Sequence, residues 1–377
     1  MRGFRIARSS SETLTSHSGL ALIGLALKRL KGFTKAVGTI PQRHGIATID
    51  CIRSYVGLLC IGKSDFDAIE NKRDDAFFRT ALGLGKVPSA PSLRQRFDSQ
   101  ADVLIPMVDD ASIEFLETAK VPVTPISVSP WLKHVALDMD VFPMDNSGSK
   151  KEGVSYTYKG HDGYAPLAVY LGNEGWCLAC ELREGSQHGQ KEFIQLLERV
   201  IPRARKLTES PLLVRLDSGH DAAENRAWLT TQSVDFLIKW NPRKQDLGAW
   251  LKRAEAVAKW TVPREGKRVG VFSEIVEETF NGDPRHFRRV IRVTERTIDK
   301  KGLLLLVPEI VLEGWWISLW TADCSNQCVI DIYKDHATSE QFHSEFKTDL
   351  DIERLPSGCR FRSIADTHSG ASRTAFR

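Results

Sequence analysis

The sequence lacks a long hydrophobic run, and its cysteines form no recognisable pairing framework. None of its apolar segments reaches the roughly 18 residues that a membrane-spanning helix requires. The seven cysteines are an odd number and are scattered along the chain, which argues against a secreted disulfide scaffold and for a reducing compartment. We therefore expect a cytoplasmic protein that does not associate with a membrane.

The chain also lacks a strong excess of charge of either sign. Its formal net charge is +4 over 377 residues, so total charge alone does not predict a polyanionic partner. Basic residues nevertheless cluster near the start and again late in the chain, at Lys28, Arg29, Lys31 and Lys35 and at Arg285, Arg288, Arg289, Arg292 and Arg296. Such clusters suit a nucleic-acid partner, but a set of solvated faces explains them equally well.

What is present is an ordinary globular composition, with 42% hydrophobic and 27% charged residues, in a chain long enough for two or three domains. Residues 1–125 are predicted to be helical, because apolar residues recur there at helical spacing, and we expect this N-terminal region to bind DNA because of its basic residues. A helix that begins after Pro88 carries Arg94 and Arg96. It is either a DNA-recognition helix or an ordinary capped surface helix.

From residue 131 the pattern changes to short apolar strands separated by helices. Strands are predicted at 133–142, 163–171, 176–183, 211–216 and 236–240, with helices at 188–205 and 221–232. This order is that of an α/β ribonuclease-H-like core, in which the first and fourth strands are neighbours. We assign residues 131–241 to the first part of that core and 329–358 to its last part.

About 90 residues separate the fifth strand from the final helix, and they are predicted to be mostly β. We interpret residues 242–328 as an inserted β subdomain. One of its strands carries Arg288 and Arg292, for which we expect phosphate contact, although a solvated outer sheet face is about equally consistent. Residues 359–377 are polar and without helical periodicity, and they are predicted to form an aberrant or disordered tail.

Three acidic positions far apart in the sequence point to metal chemistry. Asp138 and Asp140 lie within one apolar strand, Asp217 ends another, and Glu340 lies in the final helix segment. A carboxylate in an apolar strand is costly to desolvate unless it binds a cation or makes hydrogen bonds. Neighbouring strands of this fold would bring the acids together as ligands for Mg²⁺ or Mn²⁺. Two such ions about 4 Å apart would support displacement at phosphorus.

Each acid also has a simpler interpretation. Asp138 and Asp140 point to the same face of the strand, so their roles cannot be separated from the sequence. Asp217 precedes Ser218 and Gly219, which is typical of a turn into a helix N-terminus. Glu340 belongs to a set of polar residues at helical spacing that is also consistent with a solvent-exposed face.

At these residues the chain resembles the DDE transposases of bacterial insertion sequences. The segment from Tyr333 to Lys347 is similar to the Tyr-x2-Arg-x3-Glu-x6-Lys signature of the insertion-sequence-4 superfamily. Further similarity to the insertion-sequence-1380 branch covers Leu137–Asp140, Lys151–Gly153, Gly163–Leu167, Val214–Gly219, Leu355–Gly358 and Ser18–Leu22.

The resemblance implies a transposase that binds the inverted repeats at the ends of its element and cuts and joins double-stranded DNA. It implies Asp140, Asp217 and Glu340 as the catalytic metal ligands. Tyr333 and Lys347 are implied contacts to DNA phosphates, with His336 at the Arg position of the motif as a weaker contact. A homodimer on paired ends is expected.

Three features depart from the family pattern. His336 replaces an arginine, Phe142 stands where a small hydroxylated residue is usual, and the polar tail replaces apolar helices. We expect a truncated or frameshifted copy, so that a catalytically inactive DNA-binding remnant is one alternative function. A ribonuclease-H-like nuclease without strand transfer is another.

Overall fold

A computed structural model describes residues 15–42, 44–299, 301–336, 339–350 and 352–353, and at 339 and 340 it describes the backbone alone. The predicted tail, 359–377, lies outside the described residues. Those that are described divide into two compact units. One contains the residues before 119 together with those from 348 onward, and the other contains residues 119–347. Within the described ranges, no helix is long and apolar enough to cross a membrane.

The first unit is helical, as its apolar periodicity predicts. The helices are α1 (Leu20–Arg29), α2 (Lys31–Gly38), α3 (Thr48–Leu59), a short 3-10 helix (Phe66–Lys72), α4 (Ala76–Ala81) and α5 (Ala90–Ala119). Leu58, Phe78, Leu82 and Leu93 are fully buried in its core. Gly24 allows α1 to approach α4 closely, since a Cβ there would lie only 1.8 Å from the Ala81 carbonyl oxygen.

The arginines of α5 make contacts inside this unit. Arg94 lies 2.7 Å from a carboxylate oxygen of Asp67, and Arg96 donates to the Ile46 carbonyl at 3.0 Å. The Glu70 carboxylate accepts the Ala90 amide at 2.7 Å and thereby satisfies one of the unpaired donors at the helix start. These contacts favour the interpretation of α5 as an ordinary capped helix.

The second unit contains a sheet of ten strands among the described residues. Its strands are β1 (Ile126–Ser127), β2 (Lys133–Val141), β6 (Leu167–Leu171), β7 (Trp176–Glu181), β8 (Leu212–Leu216), β9 (Asp235–Lys239), β10 (Lys259–Arg264), β11 (Lys267–Phe280), β12 (Asp283–Ile298) and β13 (Leu304–Ile317). A smaller sheet contains β3 (Met144–Asp145), β4 (Ser155–Tyr156) and β5 (Asp162–Tyr164). The strand order of the large sheet is β10-β11-β12-β13-β9-β8-β2-β6-β7, with β1 paired to β2.

The centre of the large sheet is apolar because β2, β8 and β9 run parallel and are covered on both faces. Every residue of β8 is buried. Helix α6 (Phe193–Leu207) connects β7 to β8, and α7 (Ala223–Thr231) connects β8 to β9. The predicted apolar face of α6 is confirmed, since Phe193, Leu196, Leu197 and Val200 are all buried. An α/β unit with a large mixed sheet is thus confirmed.

Several predicted boundaries differ from the structure. The strand predicted at 163–171 is two strands, β5 and β6, separated at Pro166, which has no amide to donate to a ladder. Helix α8 (Leu247–Val257) and strand β10 were not predicted. The last strand of the segment predicted to be mostly β is β13, which pairs with β9 and so extends the same sheet.

The segment predicted as one final helix is interrupted. Helix α9 (Asn326–Asp335) ends before His336, and residues 337 and 338 lie outside the described residues. Helix α10 (Ser339–Ser344) and a π-helical turn (Glu345–Asp349) follow. Tyr333 therefore belongs to a different helix from Glu340.

The arginine-rich strand β12 is largely neutralised by acidic partners on its neighbouring strands. The partners lie 2.8 Å away in the pairs Arg289–Glu274, Arg292–Glu313 and Arg296–Glu309. Cross-strand pairing of opposite charges explains the alternation that suggested a phosphate-binding face.

Arg288 is a clear departure from the predicted phosphate contact. Its side chain is 2% exposed, and it donates to the Leu319 carbonyl at 3.0 Å and the Cys324 carbonyl at 2.7 Å. A second nitrogen donates to Asn326. The burial of Arg288 does not support the predicted contact with DNA, because this arginine fastens the segment between β13 and α9 to the sheet.

We predict that Arg288→Ala lowers the free energy of unfolding by about 2–4 kcal/mol, because three buried acceptors lose a charged donor. The matched control is Arg296→Ala, which removes a more exposed arginine paired with Glu309 and should cost less than about 1 kcal/mol. Urea unfolding monitored by tryptophan fluorescence measures both. Equal effects of the two substitutions would contradict the structural role of Arg288.

Candidate active site

A cavity of about 610 Å³ lies in the second unit, and acidic, basic and aromatic side chains share its wall. The lining residues are Asp140, Tyr158, Asp217, Lys239, Arg292, Glu313, Trp315, Tyr333, Lys334 and His336. Two of the predicted acids, Asp140 and Asp217, are therefore at the same cavity. Of the predicted DNA contacts, Tyr333, His336 and Arg292 are there too.

The register of two parallel strands brings the two acids together. The pairing of β2 with β8 ends with Met139 opposite Leu216. Asp140 and Asp217 follow this last pair in their two neighbouring segments, so both carboxylates lie where the parallel ladder ends. Oδ1 of Asp140 accepts the amide of Val141 at 2.8 Å, which is a local bond that leaves the side chain at the cavity.

Asp217 is held by the turn that follows its strand. Its Oδ1 accepts the Gly219 amide at 3.0 Å and lies 2.8 Å from Nδ1 of His220. It thus caps the short 3-10 helix Ser218–His220, so the expected turn is present, and Asp217 also lines the cavity. Partial burial would raise the pKa of Asp217, but the hydrogen bonds and charge of His220 outweigh it and lower the pKa.

Asp138 has a different environment from Asp140. Its carboxylate forms a two-pronged ion pair with Arg215, directly opposite on β8, and both N–O distances are 2.6 Å. Each of the two residues is 2% exposed. Burial alone would raise the pKa of Asp138, but His336 and Arg215 together lower it. Asp138 is not among the cavity-lining residues, and Arg215 occupies both of its oxygens.

The same ion pair ties α9 to the sheet. A further nitrogen of Arg215 donates to the Ile332 carbonyl at 2.8 Å, and Nδ1 of His336 lies 3.1 Å from Oδ1 of Asp138. These contacts place Tyr333 and His336 at the cavity. Burial, together with the negative charges of Asp217 and Asp140, raises the pKa of Tyr333, so its hydroxyl remains a donor at neutral pH.

The segment after α9 returns to the end of β2. The imidazole of His343 stacks on Phe142 with ring centroids 4.7 Å apart, and its Nε2 lies 3.8 Å from Asp140. The ammonium group of Lys347 donates to the Pro143 carbonyl. Phe142, an unusual residue for this motif, therefore supports the segment that carries Glu340. The backbone of Glu340 is in α10, and its side chain lies outside the described residues.

The sequence did not single out five residues of the cavity wall, namely Tyr158, Lys239, Glu313, Trp315 and Lys334. Lys239 ends β9 and donates to Glu313 at 2.8 Å, and its nitrogen lies 4.3 Å from the centre of the Trp315 ring. Arg292 holds the other oxygen of Glu313. Burial lowers the pKa of Lys239, although Glu313 opposes that shift. The available signal in the sequence was a charged residue at the end of an apolar strand. Lys239 ends β9 in this way, and Asp217 follows β8 directly.

The donor chemistry of the cavity fits a hard divalent cation. No group of three or more His, Cys, Asp or Glu side chains suited to a metal ion is formed by the residues that the structure describes. Asp140 and Asp217 supply two carboxylates at one cavity, and carboxylate oxygens are the ligands that Mg²⁺ and Mn²⁺ prefer. Both hydrogen bonds to Asp217 use the same oxygen, Oδ1, so its Oδ2 fits the role of a ligand atom.

Comparison with known proteins identifies the family of the chain. The family described as "Transposase DDE domain group 1" matches residues 6–361 of the chain. A piggyBac transposase, solved as a synaptic complex with hairpin DNA, is 12% identical with a TM-score of 0.36. The alignment covers 88% of this chain and 68% of that one. No curated protein matches the chain.

We predict that Arg215→Met lowers the free energy of unfolding by about 3–5 kcal/mol, because it leaves the Asp138 carboxylate buried without its partner. The matched control is Asp331→Ala on α9, an exposed residue that pairs with Lys334 at the surface and should cost less than about 1 kcal/mol. Urea denaturation of the full chain measures both. A small effect of Arg215→Met would refute the anchoring role of the ion pair.

We predict that the stability of the protein falls as the pH falls from about 6.5 to about 4. Burial, with Lys347 and His336 nearby, lowers the pKa of His343 to about 4. Below its ordinary pKa the unfolded chain binds a proton that the folded chain does not bind, which favours unfolding by at most about 3 kcal/mol. His343→Gln should remove this slope from urea midpoints measured across the pH range. His286→Gln, at an exposed site, should retain it, and an unchanged slope in His343→Gln would contradict the assignment.

Proposed function

Because the chain belongs to the family of transposases with a DDE domain of group 1, we propose that it cuts and joins DNA at the ends of a mobile element. One observation carries the proposal. Asp140 and Asp217 follow the last paired residues of two parallel strands and line the same cavity. Carboxylates paired in this way suit phosphoryl transfer assisted by metal ions.

Asp140, Asp217 and Glu340 are the proposed ligands of Mg²⁺ or Mn²⁺. Asp138 is the less suitable alternative to Asp140, because its carboxylate is committed to Arg215 beneath the cavity. When bound, the ions would supply charge stabilisation at the phosphorus and activate water for cleavage or a 3′-hydroxyl for strand transfer. The role of the three side chains is to hold this charge at the end of the β2–β8 ladder.

Four further residues are proposed to contact DNA phosphates, namely Tyr333, His336, Lys347 and Arg292. The Tyr333 hydroxyl is suited to donate to a phosphate oxygen, since its raised pKa keeps it protonated. His336 lies between the cavity and Asp138, so it replaces the two-pronged contact of an arginine with a single donor. Arg292 already binds Glu313 and would bring a partly neutralised charge to the DNA.

The motifs in the sequence support a more specific proposal about the superfamily and the core fold. We propose a bacterial element of the insertion-sequence-4 superfamily, nearest to the insertion-sequence-1380 branch, and a ribonuclease-H-like core formed by β2, β6, β7, β8 and β9. The DNA would be double-stranded, comprising terminal inverted repeats and a target. A homodimer would bring two ends together in the cytoplasm, where the nucleoid is.

We predict that the purified chain cleaves a duplex carrying the DNA that flanks its gene, and joins it to a second duplex, only when Mg²⁺ or Mn²⁺ is present. Asp140→Asn and Asp217→Asn should each lower the rate roughly 100-fold or more, since each removes a charged ligand. Asp331→Asn, at the exposed end of an ion pair, is the matched control and should retain activity. Gel assays of cleavage and strand transfer measure the rates.

The outcomes separate the proposal from its alternatives. Wild-type activity that survives Asp217→Asn would refute the assignment of the acids. Binding of the end duplex without any metal-dependent cleavage would identify a catalytically inactive DNA-binding remnant. Cleavage of an RNA–DNA hybrid without strand transfer would identify a ribonuclease-H-like nuclease instead.

A further inference from the structure

His220 is a buried imidazole that bonds directly to one of the proposed metal ligands. Its side chain is 1% exposed, and its Nδ1 lies 2.8 Å from Oδ1 of Asp217. Since a carboxylate can only accept, Nδ1 is the donor. The other ring nitrogen, Nε2, is buried and has no hydrogen-bond partner among the described residues.

The pocket around His220 fits the ring closely. The Phe193 ring lies 4.3 Å away between centroids. A Cβ on Gly189 would lie 3.2 Å from Nε2, so a side chain there would press against the imidazole. The Asn225 amide donates to the His220 carbonyl at 2.8 Å and bonds to the Gln190 side chain. Phe193 thus packs on the ring of His220, Gly189 lies at the edge of that ring, and Asn225 binds the backbone carbonyl of His220.

This pocket is better suited to a hydrocarbon ring than to an imidazole. A phenylalanine side chain would fill it without burying an unpaired nitrogen, and an unpaired buried polar atom costs free energy. Among the described residues, the bond from Nδ1 to Asp217 is the polar contact of the ring that offsets this cost. The Gly219 amide already caps the same oxygen, so a cap alone does not require the histidine.

We propose that His220 is a positioning residue that fixes the Asp217 carboxylate for binding a divalent cation. It occupies Oδ1 with a rigid donor and so sets the orientation in which Oδ2 is presented. Ligating carboxylates elsewhere depend on such outer hydrogen bonds for metal affinity. His220 does not touch DNA or the metal in this role. The inference rests on the proposed function, because it requires Asp217 to be a metal ligand.

Two substitutions separate the hydrogen bond from the volume of the ring. His220→Phe keeps a ring in the pocket and removes the donor. His220→Asn keeps an N–H that can take the place of Nδ1 and removes most of the ring. A role in packing predicts that the asparagine variant is the defective one, whereas a role in positioning predicts that the phenylalanine variant is.

The experiment measures Mn²⁺ binding to the DNA-free full chain by titration calorimetry, with urea unfolding of each variant in the absence of metal. We expect His220→Phe to remain folded in the absence of metal while its dissociation constant for Mn²⁺ rises about 10- to 100-fold. His220→Asn should be less stable yet retain a dissociation constant near that of the wild type. Activity at saturating Mn²⁺ should recover in His220→Phe.

Asp217→Asn makes the two possible failures distinguishable. If Asp217→Asn weakens Mn²⁺ binding and His220→Phe does not, the positioning role is overturned and the proposed function stands. If Asp217→Asn leaves Mn²⁺ binding unchanged, Asp217 is not a ligand, and both proposals fail. A dissociation constant that rises in His220→Asn as much as in His220→Phe would also overturn the positioning role.

Discussion

The buried ion pair between Asp138 and Arg215 is the constraint on which the arrangement of the cavity depends. It joins two central strands at directly opposite positions, and the third contact of Arg215, to the Ile332 carbonyl, fastens α9 over them. Removing charges from water is costly unless each is fully paired. Here both carboxylate oxygens of Asp138 accept from the guanidinium of Arg215, which also donates to the Ile332 carbonyl. The ion pair therefore fixes α9 against the sheet.

This pair also explains why two acids of the same strand have different environments. Asp138 is enclosed beneath the cavity and neutralised by Arg215, whereas Asp140 is one strand period further along, where the β2–β8 ladder has ended. A carboxylate at the end of a ladder can face a cation without breaking backbone hydrogen bonds. The basic residues of the same wall, Lys239 and Arg292, are joined through Glu313. Opposite charges therefore share one cavity without leaving a buried charge unpaired.

Some of this structure was predictable from the sequence because strong periodicity outweighs context. The strands β2 and β8 and the apolar face of α6 follow directly from the pattern of apolar residues. The pattern failed where a single residue type decides the outcome, as at Pro166, where a missing amide ends a strand. The pattern also did not predict the burial of Arg288. A strand pattern shows which face a side chain is on, but does not show whether carbonyl groups from a distant segment cover that face.

The sequence by itself determined which residues are candidates for the chemistry. The acids at Asp140 and Asp217, the tyrosine at Tyr333 and the order of strands and helices are all readable there, because local periodicity and motif spacing record them. Only the tertiary structure decided which of the two acids in β2 lines the cavity. Asp138 and Asp140 share a strand face, and the difference between them is the arginine that β8 places opposite one of them 77 residues away in sequence. A contact over that distance is set by strand register, which no local pattern specifies.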